Sequence, residues 1–108
     1  MNALEAEAIH DDDRRKITQL FTAPVGQVNL YHCKRGSVLG NHYHRETIEY
    51  FYVVRGTLLY NGERIFETGD MFVVYPEEKH TIKCMTELTL MTFLSKPYSE
   101  EDKDTWTS

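Results

Sequence analysis

The stretch from Gly36 to Gly56 constrains the fold of this chain more than any other part of the sequence. It carries His42, His44 and Glu49 between turn-forming glycines and continues into the β-rich run Glu-Tyr-Phe-Tyr-Val-Val. Residues two apart on a β-strand point to the same face, so both imidazoles can reach one ion. By the same alternation, the carboxylate of Glu49 belongs to the side of a hydrophobic interior. The stretch therefore predicts strands that carry polar ligands into an apolar core.

A buried carboxylate at Glu49 needs a positive partner, because an isolated ionised carboxylate in an apolar interior costs several kcal/mol. A histidine pair alone is a weak signal, but a third histidine, His80, follows one hairpin later. Three imidazoles and one carboxylate suit a divalent transition metal such as Zn, Ni, Mn or Fe. We therefore predict one such ion per chain, bound by His42, His44, Glu49 and His80, and the identity of the metal stays open.

The spacing of these residues resembles the first motif of the cupin superfamily. The motif runs from Gly36 through five residues to His42-x-His44, through four residues to Glu49, and through six residues to Gly56. Every defining position of the motif is filled. The resemblance implies an all-β fold, the double-stranded β-helix or jelly-roll barrel of the cupins, with a small single-domain metal-binding member as the expected type.

A second stretch is similar to the second cupin motif, with Gly69, Pro76 and His80 in register. The usual proline, glycine and asparagine of that motif are replaced here by Tyr75, Glu77 and Cys84. These departures affect the turn but leave the ligand histidine in place. Together the two motifs extend the resemblance over residues 28–94, which is most of the chain.

From Lys16 onward the chain consists of short apolar segments broken by turn signals, which is typical of an all-β barrel or sandwich. Asn61-Gly62 is the strongest hairpin signal, because a type I′ turn needs positive φ at both central residues. We predict strands over residues 17–21, 27–34, 49–55, 57–60, 63–66, 71–75, 80–84 and 88–94.

The two ends of the chain differ from its centre in composition. Residues 1–15 are acidic and low in β-branched side chains, so we predict a flexible segment or a short docking helix. The barrel is predicted over residues 16–96. Residues 97–108 are predicted to form a tail, in which Ser99 caps a short helical turn ending near Trp106.

Composition excludes several classes of partner. The chain has 108 residues and a net charge of −5 without a basic cluster, so we expect one domain that binds neither nucleic acid nor an anionic membrane. The amino terminus lacks the basic and apolar regions of a secretory signal, and a cytoplasmic location is the expectation. Cys33 and Cys84 are too few for a disulfide scaffold and are expected to be reduced.

Aromatic residues on the face opposite Glu49 bear on assembly. Tyr50, Tyr52 and Val54 alternate with the inward residues and cannot all be left comfortably in water. One solution is packing within the same barrel or under the amino-terminal segment. The other is a homodimer, which resemblance to small cupins favours and which we predict.

The chemistry of the predicted site stays open between three functions. A divalent ion held by one carboxylate leaves a net local charge of about plus one, so an anionic or oxo ligand is expected. A finer resemblance, to small cupins of surface-polysaccharide and nucleotide-sugar metabolism, implies a metal-dependent isomerase or epimerase acting on a sugar or related oxo compound. The alternatives are a noncatalytic metal or small-molecule binding module and a metal-dependent dioxygenase.

An isomerase of this kind needs a residue that moves a proton next to the polarised carbonyl. The local sequence offers His32 and Tyr60 as catalytic candidates, with Tyr43 and Arg45 behind them. The alternative interpretation of His32 is a histidine in the wall of the barrel whose ring nitrogens are satisfied by hydrogen bonds and which has no catalytic role. Tyr43 lies between two inward histidines and is expected to point outward, and Arg45 is interpretable as a solvated loop charge. The fifth histidine, His10, lies in the polar tail and is expected to be solvated.

Overall fold

The computed structural model describes residues 1–101 and 103–107 of the chain, and these residues contain strands, turns and bends but no helix. None of the described segments is therefore a helix long and apolar enough to cross a membrane. The strands are β1 (Asn2–Leu4), β2 (Glu7–Asp11), β3 (Lys16–Gln19), β4 (Gln27–Cys33), β5 (Val38–His42), β6 (Glu49–Arg55), β7 (Thr57–Tyr60), β8 (Arg64–Glu67), β9 (Met71–Val74), β10 (His80–Cys84) and β11 (Leu88–Leu94).

Two antiparallel sheets form the barrel. One has five strands in the order β1-β9-β6-β11-β4, and the other has four in the order β5-β10-β7-β8. Alternation decides which side chains face inward: on β6, Glu49, Phe51 and Val53 are buried while their neighbours lie on the outer face. The sequence-based prediction of an all-β jelly-roll barrel is confirmed.

The core lies between the inner faces of the two sheets and is dominated by aromatic rings. Phe72, which is fully buried, stacks on Phe51 at 4.6 Å and on Phe66 at 4.2 Å between ring centroids. Ile82 from the four-stranded sheet and Leu90 from the five-stranded sheet belong to the same buried cluster. Strands β6 and β10 contribute Phe51 and Ile82 to this core and also carry predicted ligands.

The predicted strands match the observed ones closely. Four of them, β6, β7, β10 and β11, have the predicted bounds, and the others differ by one or two residues at one or both ends. Asn61 and Gly62 have φ values of 50° and 69°, as the type I′ turn requires, and the Glu63 amide donates to the Tyr60 carbonyl. The spacing of His42 and His44 was interpreted as that of a strand, but the predicted ranges do not include β5, because Gly40 and Asn41 interrupt its apolar pattern; both have positive φ. The strand ends at His42, so His44 lies beyond it.

The amino-terminal segment differs from the flexible tail or docking helix that composition suggested. Strand β1 pairs with the edge of β9, where Leu4 lies opposite Met71. The Met1 ammonium group forms an ion pair with the Glu78 carboxylate. Strand β9 would otherwise expose unpaired backbone groups at a sheet edge, so the segment extends the sheet instead of coiling. Strands β2 and β3 form a separate, solvent-exposed hairpin.

The carboxyl-terminal tail also differs from its prediction, since its described residues, 97–101 and 103–107, form no helical turn. Asp102 and Ser108, which belong to the predicted tail, lie outside the described residues. Trp106 forms a β-bridge with Tyr43, and the two residues exchange backbone hydrogen bonds of 2.9 Å in both directions. The backbone groups of Trp106 thus pair with those of Tyr43 and are not used within a helix.

Glu77, which stands where the second motif usually has glycine, keeps the backbone conformation that glycine would provide. Its φ is 69°, in the left-handed region. A residue with a side chain pays about 1 kcal/mol or more for this conformation. The turn that leads into β10, and hence to His80, is therefore formed in spite of the substitution.

Candidate metal centre

The four predicted ligands converge at one end of the barrel. His42 is the last residue of β5, Glu49 the first of β6 and His80 the first of β10, while His44 follows β5 by two residues. His42 and His80 are paired in the antiparallel register of β5 and β10. One ligand atom from each of the four side chains lies within 4.8 Å of all the others. The four ligands therefore come from two neighbouring strands, a third strand and a loop.

The distances within the cluster suit a transition metal. Glu49 Oε1 lies 3.1 Å from His44 Nε2 and 3.5 Å from His80 Nε2. Ligand atoms of a tetrahedral ion with bonds of about 2.1 Å are about 3.4 Å apart. His44, Glu49 and His80 are buried and His42 is half-buried. The donor set, three imidazole nitrogens and one carboxylate oxygen, fits a divalent transition metal.

The electrostatics of the cluster keep the carboxylate ionised. Burial by itself raises the pKa of Glu49, but hydrogen bonds from His44 and His80 outweigh burial and lower it to about 2. Burial, together with the neighbouring His80 and His44, lowers the pKa of His42 to about 4. His42 is therefore neutral near pH 7 and offers a free lone pair, which is the form that binds metals.

Two of the three histidines have their second ring nitrogen beside a backbone carbonyl. His44 Nδ1 lies 2.7 Å from the Asp104 carbonyl oxygen, and His80 Nδ1 lies 3.2 Å from the Glu78 carbonyl oxygen. Such partners fix ring orientation in metal sites. Burial lowers the pKa of His44, but the bonds to the Glu49 carboxylate and the Asp104 backbone reverse the shift and raise it.

Asp104 is a site residue that the sequence did not reveal. It is buried, at 8% exposure, although it lies in a polar tail between exposed neighbours. Its carboxylate accepts hydrogen bonds from the amides of Arg45, Glu46 and Thr47 and from the Thr47 hydroxyl, at 2.7 to 3.0 Å. An acidic residue in an acidic tail carries no local signal of such a contact.

An open cavity of about 550 Å³ leads from solvent to the cluster. Its polar lining includes two side-chain amides and three hydroxyl groups, those of Gln27, Asn29, Tyr31, Tyr98 and Thr105. A second, more apolar cavity of about 310 Å³ shares His42 and Glu49 with the first and is lined among others by Leu39, Phe51, Ile82 and Leu90. The cluster thus borders both a polar and a more apolar cavity.

Tyr31 lines both cavities, as His42 and Glu49 do. Burial and the charge of Glu49 raise the pKa of the Tyr31 hydroxyl, which therefore stays protonated and able to donate. Strand alternation on β4 places Tyr31 and Asn29 on the inner face. The sequence shows this alternation, but it does not show which face of β4 lies inside the barrel.

The two predicted catalytic residues lie away from the cluster. His32 is exposed on the outer face of β4 and lines a separate groove with Arg55 and Thr89. Tyr60 is buried in the core, where its hydroxyl donates to the Glu78 carboxylate. Burial and the contact with Glu78 raise the pKa of Tyr60 well above its usual range. Neither side chain lines the two cavities that meet at the cluster.

The two weaker candidates take part in the loop that follows β5. Tyr43 is half-buried and forms the bridge with Trp106. Arg45 is exposed, and its guanidinium carbon lies 3.9 Å from the centre of the Trp106 ring, a cation–π contact. Both residues therefore help to attach the carboxyl-terminal tail to this loop.

A sequence profile described as the cupin domain matches residues 29–95, more than half of the chain. The chain belongs to the cupin family. The match includes both stretches that resemble cupin motifs and all four residues of the cluster. The predicted family membership is confirmed.

Three solved structures are similar in fold to this chain. The capsular polysaccharide assembling protein CapF of Staphylococcus aureus is 22% identical, with a TM-score of 0.65, over 94% of this chain and 34% of its own. The 3′-monoepimerase ChmJ of Streptomyces bikiniensis, in complex with dTDP-quinovose, is 19% identical, with a TM-score of 0.69, over 93% and 65%. QdtA of Thermoanaerobacterium thermosaccharolyticum, a sugar 3,4-ketoisomerase, is 15% identical, with a TM-score of 0.73, over 99% and 87%.

These likenesses describe architecture. At identities of 15 to 22% they establish the cupin fold, and this chain spans about a third of the length of CapF. No curated protein matches the sequence significantly. Activity and substrate must therefore be argued from the site.

Proposed function

We propose that this cupin is a metal-dependent isomerase or epimerase acting on a sugar or a related oxo compound. One observation carries the proposal: His42, His44, Glu49 and His80 converge beside an open cavity, and the first three of them line it. The remaining polar lining of that cavity consists of amides and hydroxyls, which suit the hydroxyl groups of a sugar. The fold shared with ChmJ and QdtA supports a sugar as the substrate class.

The four clustered side chains would hold the ion, and a bound divalent ion would supply Lewis-acid polarisation of a carbonyl oxygen. The carboxylate of Glu49 balances only part of a charge of plus two. A carbonyl, enolate or other anionic oxygen is therefore the favoured ligand. We infer that the substrate presents such an oxygen toward the cluster.

Tyr31 is the residue that we propose to donate a hydrogen bond to the substrate oxygen that becomes negative when solvent water in the open cavity takes the proton from the neighbouring carbon. It lines both the polar and the more apolar cavity and remains protonated at neutral pH. Leu39, Ile82 and Leu90 give the second cavity apolar walls. A catalytic role for His32 and Tyr60 stays a prediction, and neither residue lines these two cavities.

Solvent exchange at carbon tests this proposal directly. Zinc-, nickel-, manganese- and iron-loaded protein is incubated in D₂O with TDP-4-keto-6-deoxyglucose, the ligand of another QdtA structure, and with other keto-sugars. We expect deuterium at the carbon next to the carbonyl, detected by mass spectrometry, and loss of exchange after chelation. Tyr31→Phe is expected to slow exchange about 100-fold, within the usual range for a lost hydrogen-bond donor to such an oxygen.

Val25→Ala, an exposed residue outside both cavities, is the matched control and is expected to exchange like wild type. Binding of a keto-sugar without any exchange would contradict the isomerase and favour a noncatalytic binding module. Oxygen consumption without exchange would favour a dioxygenase. Exchange that survives chelation would show that the reaction does not need the metal.

We also propose that the protein is a homodimer, formed through the outer face of the five-stranded sheet. Phe21 of the same chain covers part of this face by stacking on Tyr50 with ring centroids 4.5 Å apart. Leu30 and Val28 stay 59% and 51% exposed, and Val54 is also exposed. A second copy would cover these side chains. A cytoplasmic location likewise stays a prediction.

Light scattering coupled to size-exclusion chromatography tests the dimer. Leu30→Glu is expected to shift the protein from dimer to monomer, because a charge would be buried in an apolar interface. Ile65→Glu is the matched control, since Ile65 has the same 59% exposure but lies on the other sheet. A monomeric wild-type protein, or equal dissociation by both variants, would contradict the proposed interface.

A further inference from the structure

His44 is held differently from the other ligands. His42, Glu49 and His80 each lie within a strand of a sheet, whereas His44 lies in the loop between β5 and β6. The Glu77 amide donates to the backbone carbonyl of His44. This bond does not orient the imidazole ring. Contacts to the ring itself are needed, because the side chain of a loop residue can otherwise adopt several rotamers.

Residues 103–106, here called the C-terminal clasp, supply these contacts. The Asp104 carboxylate accepts hydrogen bonds from three consecutive amides, those of residues 45–47, and from the Thr47 hydroxyl. Thr47 is itself buried. The loop that immediately follows His44 is thus fastened at four donors by one side chain from the distant tail.

The same residue holds the imidazole through its backbone. The Asp104 carbonyl oxygen lies 2.7 Å from His44 Nδ1. Because a carbonyl oxygen can only accept, Nδ1 must carry a proton, and Nε2 is the nitrogen that faces Glu49 at 3.1 Å. Nε2 is therefore the nitrogen that can bind a metal once it has released any proton.

The backbone of Asp104 is shaped for this double role. Its φ is 46°, in the left-handed region, where aspartate is better tolerated than most residues with a side chain. Two residues later, Trp106 pairs with the backbone of Tyr43 and contacts the Arg45 guanidinium. The clasp therefore grips the loop on both sides of His44.

We propose that Asp104 is a positioning residue of the metal centre, through which the C-terminal clasp fixes the orientation and tautomer of His44. The proposal rests on the metal site of the proposed function, but not on the isomerase activity. It predicts that clasp contacts and metal binding are coupled. The contacts of the clasp orient His44 for the ion, and a bound ion in turn stabilises these contacts.

The tautomer is measured first, on wild-type protein in excess chelator. Long-range ¹H–¹⁵N spectra of histidine-labelled protein are recorded at a pH at which the ring is neutral, with the His44 signals assigned by their absence in His44→Gln, and are expected to show a proton on Nδ1 and none on Nε2. A bare Nδ1 would overturn the proposal. Since this measurement needs neither metal nor a folded Asp104 variant, it remains decisive if the chain binds no metal and the proposed function fails.

Zinc affinity is measured next, by competition with a chromophoric chelator. Asp104→Ala is expected to weaken zinc binding about 10-fold or more, the usual effect of losing a residue that orients a metal ligand. Asp104→Asn keeps the shape and the left-handed preference but loses one acceptor oxygen, so its loss is expected to be smaller. Glu101→Gln, an exposed acid of the same tail, is the control and should bind zinc as wild type does.

Melting temperatures in excess chelator separate affinity from stability. If Asp104 had a purely structural role, Asp104→Ala would have a lower melting temperature, but its folded form would bind zinc as tightly as wild type. A zinc affinity of Asp104→Ala within twofold of wild type would therefore overturn the proposal. Weakened affinity in Asp104→Ala, partly recovered in Asp104→Asn, would support it.

Discussion

His42→Ala is expected to abolish stoichiometric metal binding while leaving the barrel folded. His42 supplies one of four clustered ligand atoms, and its imidazole is neutral near pH 7 because burial and the neighbouring His80 and His44 lower its pKa to about 4. Losing a ligand should weaken binding more than the about 10- to 100-fold typical of losing a supporting residue. The ratio of metal to protein, measured by mass spectrometry on untagged protein, should fall from near one to near zero.

The fold should survive because His42 is only half-buried and lies at the end of its strand. Circular dichroism should therefore be unchanged. His32→Ala is the matched control, since His32 is an exposed histidine outside the two cavities and should keep its metal. Full occupancy in His42→Ala would contradict the ligand assignment, and loss of metal in His32→Ala would show that the cluster is incomplete.

Phe72→Ala is expected to lower the free energy of unfolding by about 3–5 kcal/mol. Phe72 is fully buried and stacks between Phe51 and Phe66, so truncation opens a cavity at the centre of the core. A loss of this size is a large part of the total stability of a small domain. Urea denaturation at one fixed protein concentration measures the change.

Ile65→Ala provides the comparison, because Ile65 is 59% exposed and its truncation should change stability by no more than about 0.5 kcal/mol. Phe72→Leu, which refills part of the cavity, should lose less than Phe72→Ala. If Phe72→Ala lost less than about 1 kcal/mol, the aromatic stack would not be the centre of the core.

Much of the fold could be predicted because its signals are local. Alternation along β6 and β11 and the Asn61-Gly62 turn depend on neighbouring residues, and the structure confirms them. Strand β5 was not among the predicted ranges because Gly40 and Asn41 interrupt its apolar pattern. Strand β1 was not predicted because its pairing depends on the free edge of β9, which is far away in the sequence.

The candidate site divides in the same way. The four clustered ligands follow from spacing within two motifs, whereas Tyr31 is known as a cavity residue only once β4 has been placed in its sheet. His32 was the more reactive residue by type, but one step along a strand turns a side chain to the opposite face. Residue type alone therefore could not choose between them.

The antiparallel barrel and four residues able to share one ion could be predicted from the sequence, because strand alternation, turn chemistry and motif spacing act over a few residues. The surroundings of that cluster depend on the tertiary structure. Asp104 meets His44 across 60 positions of the chain, and Met1 meets Glu78 across 77. Such contacts form when sheets and tails pack together, and their energy depends on burial and geometry that no local pattern encodes.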